Sequence, residues 1–156
     1  MLKINKLKFN TKTIKRASLI AFSITLIGFF FLVKKHLIIS NNPIAITIQI
    51  SSVIFMIWAR ITFGMRSFHA GANSTKGELV TNGPYKWLRH PIYASVIYFF
   101  LACIIAFPTI ETLFGVFLIV ASTYARMIFG EISLRETYKE YILYTQKAKR
   151  IIPYLF

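Results

Sequence analysis

The sequence predicts an all-α, polytopic integral membrane protein with about four transmembrane helices and a C-terminal helix at the membrane interface. Composition is the first reason: of 156 residues, 56% are hydrophobic and 15% are charged, whereas about a quarter of the residues in a soluble domain are charged. Patterning is the second, because the apolar residues form four long runs, each close to the ~20 residues that a helix needs to cross a bilayer.

The predicted transmembrane spans are residues 17–33, 44–63, about 91–107, and 109–129. Only Pro108 separates the third run from the fourth, so these two spans should form a tight helical hairpin. The length suits one domain. We expect residues 1–156 to form a single unit, with 1–63 as an N-terminal helical pair and 64–156 as a core that carries the functional site.

Two hydrophilic segments lie between and after these spans. Residues 64–89 contain several glycines and should be mostly loop, although aromatic residues within them argue against disorder. Residues 131–147 place apolar side chains at helical spacing, which predicts an amphipathic interfacial helix. The last six residues, 151–156, should dock on an apolar surface.

The net charge of +14 indicates an oriented membrane protein better than a nucleic-acid-binding protein. All lysines and arginines except Lys34 and Lys35 lie where an inward N-terminus would put them in the cytoplasm. The positive-inside rule therefore predicts both termini and the functional site on the cytoplasmic side, of the inner or plasma membrane in a prokaryote. The basic, mixed residues 1–16 do not have the pattern of a cleaved signal peptide.

Several kinds of site are not supported by the residues. Cys103 is the single cysteine, so neither an internal disulfide nor a cysteine-based zinc site is expected. No spacing of His, Asp and Glu indicates a metal site, and there is no phosphate-binding glycine loop or nucleophile elbow.

The densest polar stretch is 83–93, GPYKWLRHPIY. Pro91 suits the first turn of a helix, whose free N–H groups attract anions, and Arg89 and His90 reinforce that attraction. We call residues 89–91 the Arg-His-Pro turn. A carboxylate or phosphate is a natural guest there, but aromatic and basic residues at a span boundary are also typical of simple interfacial anchoring.

Arg126 and Glu131 form a second candidate feature near the expected end of the fourth span. An ionisable residue at that depth usually faces protein, water or a headgroup. From the residues alone, Arg126 could extend to the interface and Glu131 could act at the helix end, with Gly130 between them.

The stretch 79–93, LVTNGPYKWLRHPIY, closely resembles the signature of the isoprenylcysteine carboxyl methyltransferase family. The later Glu131-Ile132-Ser133-Leu134 string resembles it too, together with Tyr138, Tyr141, Tyr144 and a basic stretch ending at Pro153. The resemblance covers residues 63–156 in order and spacing. It implies a membrane-embedded methyltransferase that uses S-adenosylmethionine, with the cofactor in a cytosolic pocket roofed by the C-terminal segments.

The resemblance also assigns roles to positions. Arg126 would hold the acceptor carboxylate and is the candidate catalytic residue. The family carries two glutamates where this chain has Gly130 and Glu131. Together with the anion-attracting turn, the resemblance gives these candidate cofactor-binding residues: Gly77, Glu78, Leu79, Val80, Tyr85, Arg89, His90, Pro91, Ile92, Tyr93 and Glu131.

The expected partners are the bilayer and a lipophilic methyl acceptor, with the carboxylate of an isoprenylcysteine-like substrate as the first hypothesis. A phospholipid amine or a small thiol is the alternative acceptor. A nicotinamide-dependent membrane reductase shares part of the motif, but such enzymes are usually longer. Because Gly130 replaces one family glutamate, a further alternative is that the protein is a non-catalytic family member that acts as a membrane scaffold.

Overall fold

A computed structural model describes residues 11–64 and 78–153, and every structural statement below refers to these residues. They form five α-helices and a short 3₁₀ helix at Gly83–Lys86. The α-helices are α1 Thr11–Lys34, α2 Pro43–Phe63, α3 Pro91–Ala106, α4 Ile110–Thr137 and α5 Tyr141–Lys147.

Local sequence signals fix where the helices begin. Asn42 Oδ1 accepts hydrogen bonds from the N–H groups of Ile44 and Ala45, and Pro43 occupies the first turn of α2. The Thr109 hydroxyl caps α4 by accepting from the Thr112 N–H at 3.2 Å. Only residues 107–109 separate α3 from α4, so the predicted hairpin is confirmed.

Helix α1 packs closely on α4 because glycines remove side chains from the contact. A Cβ added at Gly28 would lie 2.8 Å from Ile119 Cγ1 and 3.1 Å from the Gly115 carbonyl oxygen. Beside this contact the Thr25 and Ser122 hydroxyls are hydrogen-bonded at 2.8 Å. Small residues and hydroxyl pairs are the usual means by which transmembrane helices approach each other.

Helices α2, α3 and α4 complete the bundle. α3 packs against α2 on one side and α4 on the other. The core near the α3–α4 connection is formed by Leu32, Leu37, Phe100, Cys103, Val116 and Ile119. Cys103 is fully buried there, as is common for a free cysteine, which packs like a small hydrophobe.

The outer surface is that of a membrane protein. Large apolar side chains face outward on each long helix, among them Ile20, Ile54 and Phe117, which are 63%, 63% and 67% exposed. Helices α1, α2 and α4 are long and apolar enough to cross a membrane, and α3 is a shorter apolar helix of 16 residues. The prediction of a polytopic helical membrane protein is confirmed.

The predicted bounds of the C-terminal half were wrong in one respect. Helix α4 does not end near Gly130 but continues to Thr137, and the segment predicted as one interfacial helix is divided between the end of α4 and α5. A glycine inside a helix costs only about 1 kcal/mol. A single glycine is therefore not enough to end α4 there.

Candidate functional site

Glu131 lies at the centre of a buried ion cluster at the end of the bundle where α3 begins. Its Oε1 is 3.0 Å from Arg89 Nη1 and 3.3 Å from His90 Nε2. Arg150 donates from Nε to Oε1 at 3.2 Å and from Nη2 to Oε2 at 3.1 Å. The glutamate is 3% exposed, and a carboxylate so far from water is stable only with partners of this kind.

Backbone hydrogen bonds hold the Arg-His-Pro turn against residues 148–153, which we call the C-terminal segment. The Arg89 N–H donates to the Lys149 carbonyl at 2.6 Å, and the His90 N–H donates to the Arg150 carbonyl at 3.2 Å. Leu88 and Lys149 form a parallel β-bridge. The two paired segments therefore present both arginines to Glu131 from adjacent positions.

Helix α5 covers the loop that precedes the turn. The Tyr144 hydroxyl donates to the Tyr85 carbonyl oxygen at 2.6 Å. Tyr141 is fully buried beside the Arg89 guanidinium, and burial raises the pKa of its phenol to about 12. Helix α5 is therefore held against the loop that precedes the Arg-His-Pro turn.

His90 is buried between the ion cluster and an aromatic ring. Desolvation lowers the pKa of its imidazole, against the opposing effect of the hydrogen bond to Glu131, so the ring is neutral at pH 7. Because a carboxylate only accepts hydrogen bonds, the proton of the neutral ring belongs on Nε2, which donates to Glu131. The ring stacks on Tyr93 with centroids 5.8 Å apart.

Arg126 lies on a different face of α4, five residues and about 140° from Glu131. Its guanidinium is 4.7 Å from the centroid of the Phe22 ring of α1 and 5.8 Å from that of the Tyr93 ring of α3. Such contacts are cation–π interactions. Arg126 therefore faces neighbouring helices, and Tyr93 connects it to His90.

The other residues singled out from the sequence are placed as follows. Pro91 is buried in the first turn of α3, followed by the partly buried Ile92. Leu79 and Val80 are partly buried in the loop before the 3₁₀ helix, and Glu78 is exposed. Gly77 lies outside the described residues.

Sequence reasoning singled out Glu131 but did not identify Arg150 as its partner. The available signal was electrostatic. A glutamate that follows an apolar span requires cations nearby, and the basic residues closest to the chain's end, Lys147, Lys149 and Arg150, were candidates. Which of them bends back could not be read from spacing, because the pairing depends on the turn at residues 138–140 that separates α4 from α5.

Comparison with known proteins adds one finding. A family model described as phospholipid methyltransferase matches residues 41–141, a region that contains α2 to α4, the Arg-His-Pro turn, Arg126 and Glu131. No curated protein and no solved structure matches the chain. Since the matched region is well over half of the sequence, the chain belongs to the phospholipid methyltransferase family, the integral membrane methyltransferases that include the isoprenylcysteine carboxyl methyltransferases.

Proposed function

We propose that the protein transfers a methyl group from S-adenosylmethionine to the carboxylate of a lipophilic, isoprenylcysteine-like acceptor. Family membership supports membrane methyltransferase activity. The observation that carries the choice of acceptor is the position of Arg126. It is a guanidinium held among apolar helices, connected through the Tyr93 ring to the Arg-His-Pro turn.

The residues at the start of α3 fit the carboxylate of the cofactor. The N–H groups in the first turn of a helix have no partner within the helix, and the His90 side chain makes no capping bond to this turn. Arg89 adds a cation whose Nε is buried without a hydrogen-bond partner among the described residues. Arg89, His90, Pro91, Ile92 and Tyr93 would therefore hold the anionic end of the cofactor.

The remaining predicted contacts surround this turn. We assign further cofactor contacts to Glu78, Leu79 and Val80 in the loop and to Tyr85 beneath α5, and Gly77, outside the described residues, stays a candidate from the resemblance alone. Glu131 contributes by holding Arg89 and His90 in place, because both of its oxygens already accept hydrogen bonds from protein side chains.

The reaction mainly requires the protein to align the methyl donor with the acceptor carboxylate. When bound, S-adenosylmethionine supplies a methyl group on a positively charged sulfur, and transfer to a carboxylate oxygen leaves a neutral thioether and a methyl ester. The acceptor is already an anion at pH 7, so no general base is needed. Arg126 orients the carboxylate, and the apolar helices exclude water. Orientation of this kind supplies ~7–11 kcal/mol in favourable cases.

A phospholipid amine is the second candidate acceptor, favoured by the description of the matching family. An ammonium group would be repelled by Arg126. It would also have to lose a proton, and Glu131 is already engaged by Arg89 and Arg150. These charges favour the carboxylate.

The experiment is methyl transfer by purified protein from labelled S-adenosylmethionine to farnesylcysteine or to phosphatidylethanolamine. We expect the label in the methyl ester of farnesylcysteine. Arg126→Ala should lower this rate roughly 10²-fold, the cost of a misplaced reacting group, while cofactor affinity measured by calorimetry stays unchanged.

Arg126→Lys is the matched control, since it keeps the charge but loses the planar two-point contact with a carboxylate. An intermediate rate is expected. An unchanged rate for Arg126→Ala would remove Arg126 from its role, and label in the lipid amine alone would establish the second candidate. A protein that binds no cofactor would be the non-catalytic scaffold.

A further inference from the structure

An open apolar groove runs along the outside of the α3–α4 hairpin. It has a volume of about 350 Å³ and lies between residues 97–101 of α3 and 117–124 of α4, with Ile151 and Ile152 at one end. We call it the α3–α4 groove. Its volume is within the range of small-molecule sites, roughly 300–1,000 Å³, and its entire lining is apolar.

The groove is separate from the proposed acceptor site. Its α4 side chains, Phe117, Val120, Ala121 and Tyr124, follow the i, i+3, i+4, i+7 spacing of one helix face. Arg126 is two residues after Tyr124, about 200° around the helix, and faces α1. The groove therefore opens toward the bilayer, on the side of α4 away from Arg126.

The C-terminal segment closes one end of the groove. The Tyr98 hydroxyl donates to the Ile151 carbonyl oxygen at 2.6 Å. Ile151 is 8% exposed and packs with Leu88, Ile97 and Met127. The groove ends where this segment crosses it, next to the ion cluster.

The charge at that end is complementary to an anion. Two guanidinium groups, Arg89 and Arg150, share the single carboxylate of Glu131, while His90 is neutral. The Arg150 side chain is 26% exposed and directly precedes the residues that close the groove. An apolar channel facing the bilayer that ends at a partly exposed arginine, in a cluster whose described residues include two arginines for one carboxylate, has the two parts of a phospholipid site.

We propose that the α3–α4 groove binds one acyl chain of an anionic phospholipid, with the phosphate of that lipid at Arg150. The site does not depend on methyl transfer. Its occupant is a lipid of the surrounding membrane that holds the C-terminal segment, and thereby the roof of the Arg-His-Pro turn, against the hairpin.

Native mass spectrometry of the detergent-purified full chain tests the proposal, with dioleoylphosphatidylglycerol and dioleoylphosphatidylcholine as probes. We expect one tightly retained phosphatidylglycerol, bound roughly fivefold more tightly than phosphatidylcholine, the factor that one basic residue near an anionic headgroup provides. Arg150→Gln should remove this preference.

Ala121→Trp fills the groove from an exposed position and should abolish retention of both lipids. Leu113→Trp is the matched control, because Leu113 is 47% exposed on the same helix outside the groove, and retention should persist. Leu101→Trp fills the groove from α3 and serves if Ala121→Trp fails to fold. Equal binding of the two lipids, or retention by both groove-filling variants, would overturn the proposal.

Discussion

Glu131 supplies the carboxylate on which three segments of the chain converge. It projects from α4, while Arg89 comes from the loop before α3 and Arg150 from the segment after α5. Bringing any one of these charges out of water alone is costly, and their mutual attraction recovers the cost only when all are present. The cluster therefore couples the Arg-His-Pro turn to the C-terminal segment.

Glu131→Gln should consequently destabilise the protein although the side chain keeps its shape. The amide cannot neutralise Arg89 and Arg150, and breaking a buried ion pair costs ~3–5 kcal/mol. We expect a lower thermal unfolding midpoint in detergent and faster proteolytic cleavage after Lys147 and Lys149, because the C-terminal segment loses its anchor.

Glu111→Gln provides the matched control for this substitution. Glu111 pairs with Lys35 at 2.8 Å, but the two side chains are 47% and 45% exposed, and exposed pairs contribute ~0–1 kcal/mol. The thermal unfolding midpoint of the Glu111→Gln variant should stay close to that of the wild type. Equal effects of the two substitutions would show that the ion cluster does not anchor the C-terminal segment.

At the scale of helices, the sequence predicted which elements exist better than where one of them ends. The apolar runs located α1 to α4, and Pro43, Pro91 and Thr109 marked three starts. The fourth span was predicted to end at residue 129 because the apolar run ends there, before Gly130. The helix continues to Thr137. The partners of Glu131 lie on segments distant in sequence, and the local pattern contains no information about them.

The contact between α1 and α4 leads to a prediction about two glycines in helices. Gly28→Ala should destabilise the protein by ~1–3 kcal/mol, the usual cost of overpacking. The added methyl would meet Ile119, which is fully buried, and the immobile Gly115 carbonyl oxygen. A lower thermal unfolding midpoint in detergent is the measurement.

Gly130→Ala is the control for that change, since the same methyl meets nothing within 4 Å there. It should raise the midpoint slightly, because alanine favours the helix by about 1 kcal/mol over glycine. Midpoints that move in the same direction for both variants would contradict the assignment of Gly28 to a close helix contact.

At the scale of the whole molecule, the two ends of the bundle differ in charge and in chemistry. One end carries the Lys35–Glu111 pair beside the α1–α2 and α3–α4 connections. The opposite end carries the ion cluster, the Arg-His-Pro turn and α5. A cofactor that is dissolved in the cytosol can reach only one of these ends, so the proposed function requires the cluster to face the cytoplasm, as the distribution of basic residues also predicts.

Single cysteines placed at the two ends test this orientation. Ile39, between α1 and α2, is 87% exposed, and Gln146 is exposed in α5. In intact cells a membrane-impermeant maleimide should label Ile39→Cys and should reach Gln146→Cys only after the membrane is permeabilised. The native Cys103 is fully buried and should stay unlabelled in both variants. The reverse labelling pattern would put the ion cluster outside the cell, where the cofactor is absent, and the proposed methyl transfer could not take place there.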